Sequence, residues 1–207
     1  MKTLTDTDML RQLNHVEMVY RPGERMLAAR VFELLGLRVV DPGGRWLFAL
    51  GDPGLADFSN NACYASEVTP EQWALEQALE AAIGIDRAAP DRGVAAQEAG
   101  GVGSTARAYL DRMRVEPQRT FHVGIRIFGR EDFDATLDRI RAAATDPDLA
   151  GRVALLGVFD PDEPGALAPN MIQAFVRTDV VAAGLLAFGQ HIELQWHLPG
   201  GPKRGKS

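Results

Sequence analysis

The feature that most constrains the fold is a repeat of chemically active residues at matching places in the two halves of the chain. His15 and His122, two of the four histidines, each lie near the start of a segment in which apolar and polar residues alternate. Glu67, in Ser-Glu-Val, and Glu193, in Ile-Glu-Leu, lie at matching places in the last strand-like segment of each half. A pattern that recurs at corresponding points indicates two copies of one structural unit.

The predicted secondary structure has the same order in both halves. Alternation with a period of two predicts strands, and apolar residues three or four apart predict helices. Each half then predicts the order β-α-β-β-β, whereas residues 179–190 fit either a strand or a short helix. We therefore expect an α+β fold in which two paired modules form one cupped, pseudo-symmetric sheet unit. The predicted strands cover residues 13–20, 37–40, 45–50, 62–69, 120–128, 154–159, 171–178 and 191–198, and the predicted helices cover residues 24–35, 70–83 and 131–144.

An insert joins the two predicted modules. It begins with the helix over residues 70–83, for which Thr69 is the expected N-cap and Pro70 the first helical residue. The rest of the insert is rich in Ala and Gly, with part of a helix within residues 104–114. The expected segments are a polar arm (1–12), the first module (13–69), the insert (70–118), the second module (119–198) and a disordered basic tail (199–207).

Composition excludes several classes of protein. The single Cys63 excludes a disulfide framework and a Cys-cluster zinc site, and it fits a reducing compartment. A formal net charge of −6, with basic residues spread along the chain, argues against a nucleic-acid partner. We expect neither a membrane span nor a secretory signal, because no apolar run approaches the roughly 20 residues that a span needs. The expected location is the cytoplasm.

The repeated residues have the chemistry of a metal centre. If the halves pair about a pseudo-two-fold axis, His15, His122, Glu67 and Glu193 converge on one point. Two neutral imidazoles and two carboxylates suit Zn²⁺, Ni²⁺, Fe²⁺ or Mn²⁺. The alternative interpretation is that these residues have no role in metal binding. His15 and His122 would then be half-buried strand residues, and Glu193 a solvated residue between apolar neighbours, because these positions give the same alternation. An inward-facing carboxylate would need a partner.

This doubled layout, with His on the first strand and Glu on the last, resembles the vicinal oxygen chelate superfamily. That group includes glyoxalase I, methylmalonyl-CoA epimerase, extradiol dioxygenases, and fosfomycin- and bleomycin-resistance proteins. The resemblance covers residues 13–69 and 119–198 and is clearest at His122 and at Glu193 in His-Ile-Glu-Leu-Gln-Trp. It implies one divalent metal ion (Zn, Ni, Fe or Mn) held by those two residues and His15, with Glu67 as a fourth ligand.

The resemblance also implies a function. A metal-dependent, glyoxalase-like lyase or isomerase would hold two vicinal oxygens of a small substrate on the metal, which acts as a Lewis acid and a template. Glu67 or Glu193 would move the proton. Glu17, Arg126 and Gln195 lie on the same strand faces as the ligands and would bind substrate, with Arg126 pairing an anionic group.

A first alternative is a metal-free binding or resistance protein on the same scaffold. Trp46, Phe48 and Trp196 lie on predicted strands and would line its aromatic groove, although core packing is the other interpretation of these residues. A homodimer is compatible with either function, since modules of this kind pair within one chain or across two.

A second alternative is an Fe²⁺ extradiol dioxygenase, with His15, His122 and Glu193 as a facial triad. Such enzymes also carry an acid–base His before the second ligand His and a Tyr shortly before the ligand Glu. Here no His lies between residues 16 and 121, and the last Tyr is Tyr109. These departures favour the four-ligand lyase or isomerase, provided that Glu67 is a ligand.

Overall fold

The computed structural model describes residues 14–51, 61–85 and 101–199. Expectations for the polar arm (1–12), the Ala- and Gly-rich stretch 86–100 and the basic tail from residue 200 lie outside the described residues. The described part contains strands in two sheets and four α-helices, which makes it a mixed α+β fold. The strands are β1 (His15–Tyr20), β2 (Arg38–Val40), β3 (Trp46–Leu50), β4 (Ala62–Glu67), β5 (His122–Arg126), β6 (Val153–Phe159), β7 (Met171–Thr178), β8 (Val181–Ala182) and β9 (Gln190–His197). The helices are α1 (Arg25–Leu34), α2 (Pro70–Ile83), α3 (Val102–Val115) and α4 (Arg130–Ala142).

The two halves have the same strand order. The first sheet runs β2-β3-β4-β1-β8 and the second runs β5-β9-β7-β6. In each half the first and last strands of the β-α-β-β-β unit are parallel neighbours, β1 beside β4 and β5 beside β9. The other pairings are antiparallel. The described structure therefore contains two modules of the predicted order.

The segment that the sequence left open forms part of the first sheet. Val181–Ala182 pairs antiparallel with the end of β1, opposite Tyr20 and Val19. Gly189 then turns the chain back into β9, with φ 72° and a position where an added Cβ would lie 2.8 Å from the carbonyl oxygen of Thr178. Only glycine fits such a close approach to backbone. The apolar run is thus divided into a short strand and a turn.

One core joins the two modules. Alternation along β1 buries Met18 and Tyr20 and leaves His15 and Glu17 on the opposite, exposed face, as the sequence predicts. The buried face belongs to a single apolar cluster that includes residues of both helices α1 and α4 and of both sheets. The polar faces of the sheets carry the candidate functional residues.

An ion network also joins the modules. Arg152, just before β6, donates to both carboxylate oxygens of Glu24 at 2.8 and 2.9 Å and to Asp179 at 2.9 Å. Arg21 is buried and pairs with Asp179 at 3.2 Å. Two residues of this network come from each module, so it fixes their relative position.

The insert is more helical than predicted. Helix α2 has the predicted start, with the Thr69 hydroxyl accepting from the Gln72 N–H and Pro70 as its first residue, and it ends at the left-handed Gly84. Helix α3 covers all of Val102–Val115, because Tyr109 and its apolar neighbours pack against α2 and Phe188. In the described ranges, no helix is both long enough and apolar enough to cross a membrane.

Candidate functional site

The pair His122 and Glu193 lies at the centre of the second sheet's polar face. His122 begins β5, and Glu193 lies opposite Gly124 in the neighbouring parallel strand, so all three residues share one face. His122 Nε2 is 3.2 Å from Glu193 Oε2. Glu193 is only 4% exposed, and its other oxygen accepts a hydrogen bond from the Gln173 amide. The carboxylate is therefore buried and held in one orientation.

The tautomer of His122 follows from the hydrogen bond that its Nδ1 makes. Nδ1 is 2.8 Å from the backbone oxygen of Thr120, which carries only lone pairs, so Nδ1 must donate. Nε2 then faces the Glu193 oxygen with a lone pair unless it gains a second proton. Two lone pairs at that distance repel, so the contact requires a proton or a cation between the two atoms. The pair is thus a place for a metal ion or a transferable proton.

A second histidine lies beside this pair. His191 is opposite His122 in β9, and its Nδ1 is 2.9 Å from the Thr120 hydroxyl. That hydroxyl donates to the Pro117 carbonyl, so His191 Nδ1 donates to it and Nε2 keeps its lone pair. Nε2 is buried without a hydrogen-bond partner in the described structure. Burial, with Arg177 and His122 nearby, lowers the pKa of His191 to about 4, which keeps the ring neutral near neutral pH.

Gly124 leaves the surface above Glu193 open. An added Cβ at this residue would lie 3.8 Å from Glu193 Oε2 and 3.9 Å from Gln195 Nε2. Any longer side chain would fill the space over both groups. Arg126, two residues further on, lies on the same face of β5. The order His122, Gly124, Arg126 therefore places a gap between two polar side chains.

A cavity of about 550 Å³ lies between the two modules. It is lined by the beginning of the first module's sheet and by β5 with its flanking residues. His15 and His122 both line it, as does Arg126. Its wall also includes Phe121 and Phe128, which are 62% and 83% exposed, and the Arg126 guanidinium lies 4.9 Å from the centre of the Phe128 ring. The cavity combines imidazole, guanidinium and aromatic groups.

The first module carries different chemistry at the matching register. His15 begins β1 as His122 begins β5, but Glu17 is opposite Tyr64, whereas Gly124 is opposite Glu193. Tyr64 thus holds the register position of Glu193. The His15 ring stacks on the Tyr64 ring at 4.9 Å, and Phe48 meets Tyr64 edge-on at 5.0 Å. The first sheet contributes an aromatic surface.

Glu67 is not brought to this site. It is the last residue of β4, opposite Tyr20, whereas His15 is opposite Ala62. Five residues of parallel strand correspond to about 16 Å. The Glu67 carboxylate accepts the Gly23 N–H at 2.8 Å and so closes the turn before α1. Glu67 and Glu193 thus differ by three residues of register relative to His15 and His122, so the structure does not bring Glu67 together with the other predicted ligands.

The remaining predicted substrate residues lie on the polar faces. Glu17 is exposed on β1, next to Tyr64. The Gln195 side-chain oxygen is 3.4 Å from His197 Nε2. Trp196 has the opposite orientation in β9 and packs against the shared core, so it does not form one groove with Trp46 and Phe48. Trp196 therefore has the core-packing role that the sequence also predicts for it.

The donor set fits a divalent ion in part. His122 has the anchored Nδ1 and outward Nε2 that metal-binding imidazoles typically show, and a buried carboxylate faces it. In residues 14–51, 61–85 and 101–199, no three His, Cys, Asp or Glu side chains are grouped closely enough to hold a metal. His122 and Glu193 are therefore the two donors that the structure places together, and His15 lines the same cavity without joining them.

Sequence reasoning missed four residues of the site. Thr120 and Gln173 act through hydrogen bonds across strands, and Tyr64 occupies a ligand position with different chemistry. Gly124 contributes by having no side chain. The one available signal was the alternation in β5, which puts Gly124 between His122 and Arg126 on one face.

Comparisons with known proteins give structural likenesses only. No protein-family model matches the chain, and no curated protein matches it. The chain is similar to the structure titled oxidase ChaP-H2, with 15% identity over 93% of this chain and 98% of that one and a TM-score of 0.38. It is similar to the hypothetical protein SA1046 from S. aureus, with 8% identity over 91% and 94% of the two chains and a TM-score of 0.39. It is also similar to UcmS2, with 16% identity over 90% and 98% and a TM-score of 0.38.

Proposed function

We propose that the chain is an enzyme that acts on a small substrate with adjacent oxygens at the His122–Glu193 pair, as a metal-dependent lyase or isomerase. The observation that carries the proposal is the contact of 3.2 Å between His122 Nε2 and Glu193 Oε2, which requires a cation or a proton. A divalent ion held by His122 and Glu193 would supply Lewis acidity at the substrate oxygens.

The chain's own residues have separate roles in this proposal. The Thr120 carbonyl holds the His122 ring so that Nε2 points at the site. Gln173 holds one Glu193 oxygen, so Oε2 is the oxygen that would leave the ion to take a proton from a substrate carbon and return it. Gly124 leaves room for the substrate above that oxygen. Phe175 lies edge-on to the His122 ring at 5.6 Å and keeps this side of the site apolar.

An Fe²⁺ oxygenase is the second candidate, and one observation favours it. The four-ligand lyase or isomerase depends on Glu67, which lies about 16 Å along β4 from Ala62, the residue opposite His15. The predicted ligands that remain are His15, His122 and Glu193, the residue types that non-haem Fe²⁺ oxygenases use, and this candidate requires His15 to move from the cavity wall to the other two. Oxygen consumption with Fe²⁺ and a catechol would distinguish this enzyme from an isomerase.

Metal content tests the proposal directly. We expect protein purified without chelator to contain about one Zn, Ni, Fe or Mn per chain by elemental mass spectrometry, or to take it up on titration. His122→Ala and Glu193→Ala should each lower the metal content at least about tenfold. His197→Ala is the matched control, because His197 lies on the same face of β9 at its far end. It should keep the metal.

The contrary results are equally specific. A metal content unchanged in both site variants would show that the site is elsewhere. Protein that neither contains nor takes up any of the four metals would contradict the metal-dependent function and favour the metal-free binding protein. His15→Ala adds one further measurement, since its metal content shows whether His15 joins the two central donors.

A further inference from the structure

We propose that the substrate is a planar aromatic anion, held at Arg126 and Phe128 and extending over Gly124 to the His122–Glu193 pair. This inference rests on the proposed function and specifies its substrate class. It comes from four features of β5 and the cavity beside it. They are the guanidinium of Arg126, which pairs with no acidic side chain of the described residues, the exposed rings of Phe121 and Phe128, the open surface at Gly124, and the distance from His122 to Arg126.

The first feature is the charge of Arg126. Its recorded contact is with the face of the Phe128 ring, and no acidic side chain of residues 14–51, 61–85 or 101–199 forms an ion pair with it. Burial lowers the pKa of His197, and the Arg126 guanidinium lowers it further against the opposing charge of Glu193. An Arg in a cavity wall that pairs with no acidic side chain of the described part of the chain is suited to bind a carboxylate or a similar anion through two hydrogen bonds.

The second feature is the exposure of Phe121 and Phe128. These rings stand at the two ends of β5, line the cavity and are more than half exposed. Large aromatic side chains usually bury most of their surface, and an exposed group of them beside a cavity indicates a binding surface. Ring faces pack best against another flat apolar group. The body of the ligand is therefore expected to be planar.

The third feature is the gap at Gly124. It separates His122 from Arg126 on one face of β5, and it opens onto Glu193 Oε2 and Gln195 Nε2. A ligand anchored at Arg126 can lie across this gap and bring its far end to the His122–Glu193 pair. The open surface at Gly124 therefore connects the anion-binding Arg126 with the proposed reaction site at His122 and Glu193.

The fourth feature is length. The four residue steps of strand from His122 to Arg126 span about 13 Å between backbones, which sets the scale of the distance that a ligand must bridge. A molecule of two or three fused rings has that length. The cavity volume of about 550 Å³ lies within the usual range for a small-molecule site.

Binding of 2-naphthoate tests this proposal without requiring turnover. Isothermal titration is done on the full chain in EDTA and again after loading with the metal that binds best. We expect 2-naphthoate to bind at least about tenfold more tightly than neutral 2-naphthalenemethanol, because the carboxylate pairs with a guanidinium. Arg126→Met should remove this preference, and Arg126→Lys should restore part of it. The matched control is Arg130→Met, since Arg130 is an exposed cation close by that stacks on Trp196 and pairs with Asp134.

Two substitutions at Gly124 test whether the ligand lies across the open surface there. The distances of 3.8 and 3.9 Å leave room for a methyl group, so Gly124→Ala should bind 2-naphthoate within about threefold of the wild type. Gly124→Leu should weaken binding at least about tenfold, because its side chain fills the space over Glu193. Circular dichroism checks that each variant is folded. If Gly124→Leu does not fold, the Arg126 variants and Phe128→Ala, which should also weaken binding, carry the test.

The outcomes separate this inference from the proposed function. No binding of 2-naphthoate in either the chelated or the metal-loaded protein would overturn the substrate class and leave the metal result standing. Binding that Arg126→Met does not change would also overturn it. If Phe128→Ala alters the oligomeric state in sedimentation and leaves naphthoate binding unchanged, the aromatic surface is a contact between copies of the chain and the proposal is wrong. Loss of metal from His122→Ala is measured separately and does not enter these results.

Discussion

At the scale of single residues, Thr120 determines the orientation of two histidines. Its carbonyl accepts from His122 Nδ1 and its hydroxyl accepts from His191 Nδ1. Both rings are thereby left with a lone pair on Nε2, which faces the buried carboxylate of Glu193 in His122 and is buried without a hydrogen-bond partner in His191. The site is rich in hydrogen-bond acceptors, and such a site binds a cation, a proton or a donor group of a ligand.

Cys63 gives a prediction at the same scale. Burial raises the pKa of its thiol from 9.0 to about 11, because the thiolate is the charged form. At about pH 8, iodoacetamide should therefore alkylate folded protein roughly 100-fold more slowly than urea-unfolded protein. The rate in the folded state should rise about tenfold per pH unit up to about pH 11, and the thiol should destabilise the fold as pH rises from 9 to 11.

Mass spectrometry of quenched samples measures the Cys63 reaction, and the unfolded chain serves as the reference. Because Cys63 also lines the cavity between the modules, 2-naphthoate should slow alkylation further. Equal rates in the folded and unfolded chains would show that the thiol is not shielded.

At the scale of elements, Glu76 links the insert to the second module. It is fully buried in α2, and its two oxygens accept the backbone N–H groups of Leu186 and Ala187 at 2.9 and 2.8 Å. These amides belong to the turn between β8 and β9. A helix of the insert therefore supports the turn that leads into the strand carrying Glu193.

Replacing Glu76 tests this link. Glu76→Ala leaves two buried N–H groups without an acceptor and should lower the free energy of unfolding by about 3 kcal/mol, measured by urea denaturation. Glu76→Gln keeps one acceptor oxygen and should cost less. Gln77→Ala, on the exposed side of the same helix, should change stability by less than about 0.5 kcal/mol. If Glu76→Ala were as stable as the control, the carboxylate would not hold the turn.

Local signals predict the elements with clear boundaries and leave open the one that is defined by its partner strand. Thr69-Pro70 and Gly84 mark both ends of α2, because a cap, a fixed φ and a left-handed glycine are properties of single residues. Val181–Ala182 has no such markers. It is a strand because Val19 and Tyr20 lie beside it, more than 150 residues away in the chain. No short stretch of sequence contains that information.

The candidate site shows the same division. His122 and Glu193 could be predicted because the repeat and alternation place both on one face. Glu67 could not be assigned correctly, since a strand's register is set by pairing and a shift of three residues changes which group meets His15. Tyr64 could not be predicted from the repeat, because it is a phenol at the register position that a carboxylate, Glu193, holds in the second sheet.

At the scale of the whole molecule, the two modules are held together by one apolar core and by a network of ions. Phe32 of α1 and Phe133 of α4 lie in the same cluster. Arg152 connects the modules through Glu24 and Asp179. Because the cavity lies between the modules, its shape depends on these contacts as well as on the residues that line it.

Arg152 provides the test at this scale. Arg152→Met removes the positive charge that pairs with the carboxylates of Glu24 and Asp179. It should lower the free energy of unfolding, measured by urea denaturation, by about 2 kcal/mol. The matched control is Arg141→Met, whose exposed pair with Asp138 should contribute less than about 0.5 kcal/mol. High salt should narrow the difference between wild type and Arg152→Met only slightly, since this network is half-buried. Equal stability of the two variants would show that the apolar core alone holds the modules.

Because Val181–Ala182 pairs with Val19 and Tyr20 at the edge of the first sheet, the described chain does not divide into two halves with separate sheets. A fragment that stops before this strand would present the end of β1 with unpaired backbone groups, an edge on which other chains can assemble. The complementary fragment would carry an apolar dipeptide without its place in a sheet. A break in the chain between the modules therefore separates β1 from β8, and the first module expressed alone should aggregate more than the full chain.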